Sequence, residues 1–180
     1  ARSLDQLRDE TGRTIRLAIE PEPFCLIETT PETVQFFRRL RELAADQQML
    51  EQVTEFIGVC YDICHQAVEF EDIPASIRTL ASEEIRIDKV HISSAIRAER
   101  PSENAEAREA LARYVEPRYL HQTIARHGDG TIVRAVDLTA EMTSDPSEEF
   151  SAAEEWRVHF HVPVNADSLG PLGTTRESIR

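Results

Sequence analysis

Four positions in this sequence have side chains that commonly bind divalent metal ions: Glu20, Asp62, His91 and either His159 or His161. Carboxylate and imidazole ligands together suit Zn, Mn, Co or Fe, whereas Mg favours a shell of oxygen atoms. We therefore predict one divalent metal site and leave the identity of the ion open. The alternative interpretation is a set of buried polar side chains whose hydrogen bonds are satisfied within the protein.

The motif Asp62-x-x-His65 adds a fifth residue to this set. An Asp at the end of an apolar run is also a common helix N-cap, so the spacing alone leaves both interpretations open. Asp62 lies in phase with the polar residues at the other predicted strand ends. We therefore interpret Asp62 as a metal ligand and expect His65 to lie over the same site.

Three further residues have side chains suited to contact with a substrate. Arg97 follows His91 by six residues, and an Arg there offers a bidentate contact to an oxyanion or a phosphate. Glu22 in the segment PEPFCLIE offers an acid/base group or a partner for a sugar hydroxyl. His121 would contact a ligand if its predicted hairpin folds over the site. For Arg97, an exposed surface residue is the alternative.

The elements that must position these residues alternate between strands and helices. We predict strands over about 14–20, 57–62, 86–93 and 156–163, and a β-hairpin over about 119–137 around the turn HGDG. We predict helices over about 3–11, 32–55, 73–82 and 102–115, and a short acidic one within 145–154. This alternation is typical of parallel strands joined by right-handed crossovers.

Each predicted strand has one aliphatic face and one polar or small face. In the last strand, Val158 and Phe160 lie on one face, and His159 and His161 on the other. A doubly wound sheet would need apolar residues on both faces, so a closed (β/α)8 barrel explains the pattern better. Four strands are half of such a barrel. We therefore predict an α/β fold, one partial barrel domain over 1–180 with an inserted hairpin.

The composition excludes several classes of protein. The chain has 20 basic and 33 acidic residues and a net charge of −13, which argues against nucleic-acid and anionic-lipid partners. No apolar run approaches the length of a membrane span, so we expect no membrane insertion. The three cysteines include no C-x-x-C pair, which favours a reduced, cytoplasmic chain. The sequence begins within a predicted helix and without Met, so we expect a fragment of a longer protein.

The sequence also resembles a known group of enzymes. The segments LAIEPEP, GVCYDICHQAVEFED, KVHISSAIR and WRVHFHVPV are similar to the xylose-isomerase-like TIM-barrel superfamily of sugar phosphate isomerases and epimerases and endonuclease-IV-type enzymes. The similarity covers nearly the whole chain and is most specific between Asp62 and Asp72. Within the superfamily it is closest to the epimerase-like metabolite traffic family of the Ebo operon (EboE). The resemblance implies the C-terminal half of a TIM barrel.

The resemblance also implies roles for individual residues. Sugar epimerases of this superfamily bind one divalent ion through a Glu, an Asp, a His and a second Glu on successive strands. The matching positions are Glu20, Asp62 and His91 for the metal, and His65 and Arg97 for the substrate. Glu20 and His65 would then also serve as the catalytic pair.

The last strand departs from the pattern of the superfamily. The epimerases have their second catalytic Glu there, whereas this sequence has His159 and His161. Either imidazole could complete the metal shell, and a neutral imidazole can act as a base. Loss of the second Glu removes half of the groups that exchange protons on opposite faces of the substrate.

These observations predict a metal-dependent isomerase or epimerase-like protein that acts on a small hydroxy-carbonyl metabolite within a metabolite traffic pathway. One alternative is a non-catalytic metabolite-binding or traffic protein on the same barrel, which the missing Glu favours. A second is phosphodiester hydrolysis of the endonuclease IV type, which also uses a D-x-x-H motif. The charge of −13 opposes a DNA substrate. Substrate and oligomeric state stay open.

Overall fold

The computed structural model describes residues 1–179 of the chain. They form these elements in chain order: α1 (Arg2–Thr11), β1 (Leu17–Ile19), α2 (Thr30–Asp46), α3 (Leu50–Phe56), β2 (Ile57–Asp62), α4 (Ile63–Val68), α5 (Ile73–Ser82), β3 (Ile87–His91), β4 (Ser94–Glu99), α6 (Ala105–Ala112), β5 (Thr123–Arg126), β6 (Ile132–Ala135), α7 (Ala140–Ser144), α8 (Glu148–Ser151), β7 (Glu155–Val162), β8 (Ser168–Leu169), β9 (Leu172–Thr174) and a 3₁₀ turn (Arg176–Ile179).

The chain divides into two compact units. The first contains Ala1–Asp62 and Asp72–His91, and the second contains Ile63–Glu71 and the chain from Ile92 onward. The first unit is built on a parallel sheet in the order β1-β2-β3. The second is built on an antiparallel sheet in the order β6-β5-β7-β4-β9-β8.

Local sequence sets the ends of the helices in the first unit. The Thr29 side chain accepts a hydrogen bond from the Glu32 backbone N–H, and the Glu32 carboxylate accepts one in return, which makes a capping box at α2. Asp72 caps α5 through the Ala75 backbone N–H at 2.8 Å. Gly12 ends α1 with φ 68°, a left-handed conformation that glycine adopts without strain. These ends confirm the helices predicted over 3–11 and 73–82, whereas the helix predicted over 32–55 is divided into α2 and α3 after Asp46.

In the second unit, one face of the antiparallel sheet is apolar and covers the main core. Trp156 on β7 is fully buried and packs edge-to-face on Phe150 with 5.5 Å between ring centroids. Its indole Nε1–H donates to the Phe150 carbonyl oxygen at 2.8 Å, so the polar end of the ring is satisfied. Leu111, Leu138 and Ile96 complete the centre of this core.

Helix α4 and the turn after it cover the opposite, polar face of the same sheet. Arg157 on β7 is buried, and its Nη1 donates to the Ala67 carbonyl oxygen of α4 at 2.6 Å. Its Nε donates to Glu155 at 2.6 Å, and its guanidinium carbon lies 4.1 Å from the centroid of the Phe70 ring. Burial lowers the pKa of Arg157, and Glu155 opposes that effect. One guanidinium therefore anchors the Ile63–Glu71 segment to the sheet.

The prediction of half a (β/α)8 TIM barrel is wrong, because residues 1–179 contain no closed barrel. The strands predicted at 14–20, 57–62 and 86–93 do pair in parallel as β1, β2 and β3. The strand predicted at 156–163 is β7, which instead pairs antiparallel with β4 and β5. An antiparallel sheet with one face on a core also alternates between apolar and polar residues, so the pattern had two explanations.

The hairpin predicted over 119–137 is confirmed as β5 and β6, which pair from Thr123↔Ala135 to Arg126↔Ile132. It is an edge of the six-stranded sheet rather than an insertion into a barrel. Strands β4, β8 and β9 were not predicted. Of the helices within residues 1–179, none combines the length and the apolar character needed to cross a bilayer.

Replacement of Arg157 by Ala is expected to destabilise the protein by about 2–4 kcal/mol, because it removes a buried charged hydrogen bond and a partner of Glu155. Chemical denaturation followed by circular dichroism measures the free energy of unfolding. Arg126→Ala is the matched control: its guanidinium carbon also lies over Phe70, at 4.4 Å, but 42% of its side chain is exposed. We expect that variant to lose less than about 1 kcal/mol. Equal losses in the two variants would contradict an anchoring role for Arg157.

Candidate functional site

In the first unit, the structure brings Glu20, Asp62 and His91 together at one edge of the parallel sheet. Glu20 follows the last residue of β1, Asp62 ends β2 and His91 ends β3. His91 Nδ1 lies 2.9 Å from Glu20 Oε1 and 3.0 Å from Asp62 Oδ2. Parallel strands present their carboxyl ends at the same edge, which explains why residues so far apart in sequence meet. We call Glu20, Cys60, Asp62 and His91 the carboxylate cluster.

The distances of 2.9 Å and 3.0 Å from His91 Nδ1 to the Glu20 and Asp62 oxygens suit a bound ion. Ligand atoms held by one transition metal at about 2.0–2.2 Å, with angles of 90–110°, lie about 2.8–3.6 Å apart. The Asp62 side chain is fully buried, whereas those of His91 and Glu20 are 33% and 34% exposed, so solvent reaches the cluster from one side. The alternative for the same spacing is an Nδ1–H group of His91 shared between two carboxylates.

Cys60 belongs to this cluster, although the sequence did not predict it as a ligand. Its Sγ lies 3.8 Å from His91 Nδ1, and the ligand atoms of Glu20, Cys60 and His91 all lie within 4.8 Å of one another. Burial, together with the negative charge of Glu20, raises the pKa of the Cys60 thiol to about 11, and Lys89 opposes the shift. The signal in the sequence was strand parity, since Cys60 and Asp62 are two residues apart and share a face of β2.

Gly58 allows β2 and β3 to approach closely below the carboxylate cluster. A Cβ atom there would lie 2.7 Å from the Arg86 carbonyl oxygen and would also collide with the Asp88 carboxylate. A larger residue would separate the two strands that hold Asp62 and His91. The small residue on this face of β2 therefore has a positional role.

The second unit holds another group of predicted site residues. His159 and His161 share a face of β7, and their Nε2 atoms are 3.2 Å apart. His159 Nδ1 lies 2.7 Å from Gln122 Oε1. The ring of His65 on α4 lies edge-to-face to His159, with 4.5 Å between centroids, and 5.7 Å from His161. We call Cys64, His65, His159 and His161 the histidine cluster.

The remaining predicted residues are placed differently from the expectation. Arg97 lies within β4 rather than after β3, and its guanidinium pairs with Glu99 at 2.6 Å and Glu177 at 2.7 Å. Those two carboxylates bind the two terminal Nη atoms, which were predicted to contact a substrate. His121 is buried and stacks on Phe160 with 4.7 Å between ring centroids.

Glu22 lies half-buried in the loop after β1, where its backbone N–H donates to the Ile27 carbonyl oxygen at 3.0 Å. The nearby thiol of Cys25 has a raised pKa, first through burial and then through the charge of Glu22. The predicted site residues are thus divided between the units: Glu20, Glu22, Asp62 and His91 belong to the first, and His65, Arg97, His159 and His161 to the second.

Alkylation of metal-free protein with iodoacetamide is expected to modify the exposed Cys25 before Cys60. With a pKa of about 11, Cys60 is thiolate in only about one molecule per thousand at pH 8, so its rate should keep rising up to pH 11. Glu20→Gln removes a negative charge beside the thiol, lowers its pKa and should speed its alkylation several-fold at pH 9. Peptide mass spectrometry separates the sites, and the rate at Cys25 is the internal control. A plateau for Cys60 by pH 9 would contradict the raised pKa.

Comparisons of this chain with protein-family models, with curated proteins and with solved structures find no match. The resemblance to the xylose-isomerase-like superfamily and its Ebo-operon branch therefore stays a prediction, and the function must be inferred from the geometry of the two units.

Proposed function

We propose that this chain is a divalent-metal-dependent enzyme of the isomerase type that acts on a small hydroxy-carbonyl compound. Its metal would be bound by Glu20, Asp62 and His91. The observation that supports the proposal is the placement of His91 Nδ1 at 2.9 Å and 3.0 Å from the two carboxylates, on three adjacent strand ends. Two carboxylates and one imidazole are a donor set that suits Mn, Fe, Co and Zn.

The charge of the carboxylate cluster favours a cation. Glu20 and Asp62 bring two formal negative charges within 3.0 Å of one imidazole nitrogen, and the whole chain has a net charge of −13. Burial of the Asp62 carboxylate is costly unless positive charge or hydrogen bonds compensate it. A divalent ion would neutralise both carboxylates at once, and the exposed sides of Glu20 and His91 provide a path for it.

The solvent exposure of each side chain in the carboxylate cluster would determine its role in the reaction. A bound divalent ion supplies Lewis-acid polarisation of a substrate carbonyl. Glu20, which is one third exposed, can accept a proton from the carbon next to that carbonyl and return it to a neighbouring atom. Asp62 is fully buried, so it would hold the ion without reaching a substrate.

A metal-dependent metabolite-binding protein without turnover is the second candidate. The observation that favours it is that Glu20 is the only exposed carboxylate of the cluster, since Asp62 is buried. Exchange of protons on opposite faces of a substrate needs two groups of this kind. The metabolite-binding protein and the isomerase would therefore use the same metal site. Only the isomerase would move a proton on the bound compound.

Removal of a single ligand is expected to weaken metal binding by the carboxylate cluster. We predict that wild-type protein binds one Mn²⁺ per chain in equilibrium dialysis, because Mn²⁺ favours carboxylate ligands. His91→Ala and Glu20→Gln should weaken binding at least about tenfold, since each removes a metal ligand outright. His127→Ala is the control, because that His lies at the turn of the β5–β6 hairpin in the other unit. Unchanged Mn²⁺ binding in both cluster variants would exclude this site.

Turnover is expected to appear as hydrogen exchange on the substrate. In D₂O, Mn²⁺-loaded protein should introduce deuterium next to the carbonyl of small ketoses or 2-hydroxyaldehydes, and NMR measures the rate. Glu20→Gln should lose exchange because the carboxylamide does not accept the proton. Glu42→Gln is the matched control, because that carboxylate is 65% exposed on α2 in the same unit. Mn²⁺ binding without exchange on any compound of this class would leave the binding protein as the function.

A further inference from the structure

We infer that the second unit contains a separate metal site of the zinc class, in which Cys64, His159 and His161 are the ligands. The ligand atoms of these three residues all lie within 4.8 Å of one another. One thiolate and two imidazoles differ from the donor set of the carboxylate cluster, because sulfur selects softer ions than Mn²⁺. The inference concerns residues of the second unit alone and does not depend on the proposed isomerase.

The central strand of the sheet holds two of the ligands in a fixed relation. His159 and His161 are two residues apart on β7, so both side chains project from the same face. β7 pairs with both β4 and β5 over Glu155–Val158, and it pairs with β4 again at Val162 after an irregularity in the register, so the stretch with the two histidines is held at both ends. Between the two histidines, Phe160 turns to the opposite face and packs against the main core.

Gln122 orients the first imidazole for metal binding. Gln122 Oε1 accepts a hydrogen bond from His159 Nδ1–H at 2.7 Å, in a buried environment. In a neutral imidazole, a proton on Nδ1 leaves Nε2 unprotonated, which is the form that binds a metal ion. A metal-bound His almost always donates its other ring N–H to an oxygen in this way. The glutamine therefore gives His159 the tautomer that a ligand needs.

The distance between the two imidazoles matches a tetrahedral site. Nitrogen atoms bound to one Zn²⁺ at about 2.0–2.1 Å lie about 3.3–3.4 Å apart when the angle is tetrahedral. The Nε2 atoms of His159 and His161 are 3.2 Å apart. His159 is buried and His161 is exposed, so an ion would enter from the side of His161.

The third ligand lies on the helix that the sheet anchors. Cys64 is fully buried on α4, where it packs against Ala95 and Ile124. Its backbone N–H donates to Ser93 Oγ at 3.3 Å. The Arg157 contact with Ala67 holds the same helix against β7. Three protein ligands leave a fourth position for water or a small anion, as in catalytic zinc sites.

The alternative is a metal-free chain of hydrogen bonds in which His161 Nε2–H donates to His159 Nε2. The metal-free arrangement requires no thiolate, whereas the proposed metal site requires the Cys64 thiolate. Detection of a metal-bound thiolate therefore distinguishes the two. Co²⁺ replaces Zn²⁺ in such sites and gives a near-ultraviolet thiolate-to-cobalt charge-transfer band together with strong visible bands in a tetrahedral shell. A Co²⁺ titration of the full chain therefore measures both the thiolate and the geometry.

We expect the wild-type chain to develop the charge-transfer band with one Co²⁺ and to lose it when Zn²⁺ is added. Cys64→Ser should abolish the band, and His161→Ala should weaken Co²⁺ binding at least about tenfold. His161 is exposed, so that variant retains the fold even if the buried Cys64 does not tolerate substitution. Gln122→Ala tests the positioning role: it should weaken Co²⁺ binding about 10–100-fold and leave the band shape unchanged.

Two matched variants separate this site from the carboxylate cluster. Cys60→Ser and Glu20→Gln change only the first unit, so both should keep the band. Loss of the band in Cys60→Ser, with retention in Cys64→Ser, would overturn the inference by assigning the thiolate to the carboxylate cluster. Absence of any charge-transfer band in the wild type would overturn it as well. Failure of Mn²⁺ binding at Glu20 and His91 would affect only the proposed isomerase.

Discussion

The buried guanidinium of Arg157 is the interaction on which the second unit most depends. The polar groups on one face of the antiparallel sheet must find hydrogen-bond partners in the segment that covers them. Arg157 on that face does so, because it donates to the Ala67 carbonyl oxygen and lies over Phe70. The contact fixes α4 against β7, and α4 positions Cys64 and His65 near the two histidines of that strand. One arginine thus determines the geometry of the histidine cluster without belonging to it.

The first unit meets a different constraint, since its polar residues converge through parallel pairing. β2 lies between β1 and β3, so the ends of three strands meet at one edge. Gly58 permits the close approach of β2 to β3, and Asp62 then lies opposite His91 in the register of the two strands. The two units therefore bring their metal-binding side chains together by different means: the first through the ends of parallel strands, and the second through a helix that packs on a sheet.

Much of the local structure could be predicted from the sequence. Caps such as Thr29 and Asp72, the stop at Gly12 and the turn HGDG act through hydrogen bonds and dihedral preferences within a few residues. The parity of β7 was also predicted correctly, with Val158 in the core and His159 on the opposite face. The barrel was wrong because alternation does not say which strand is the neighbour, and parallel and antiparallel sheets both produce it.

By itself, the sequence determined most of the helices and strands and the convergence of Glu20, Asp62 and His91 on parallel strand ends, because these depend on periodicity and short-range chemistry. Only the tertiary structure decided that β7 joins an antiparallel sheet, that Arg97 pairs with Glu99 and Glu177, and that Cys60 and Cys64 lie beside histidines. Those outcomes depend on pairings between residues far apart in the chain. Such pairings are selected by the burial and hydrogen bonding of the whole unit, which no short window of sequence contains.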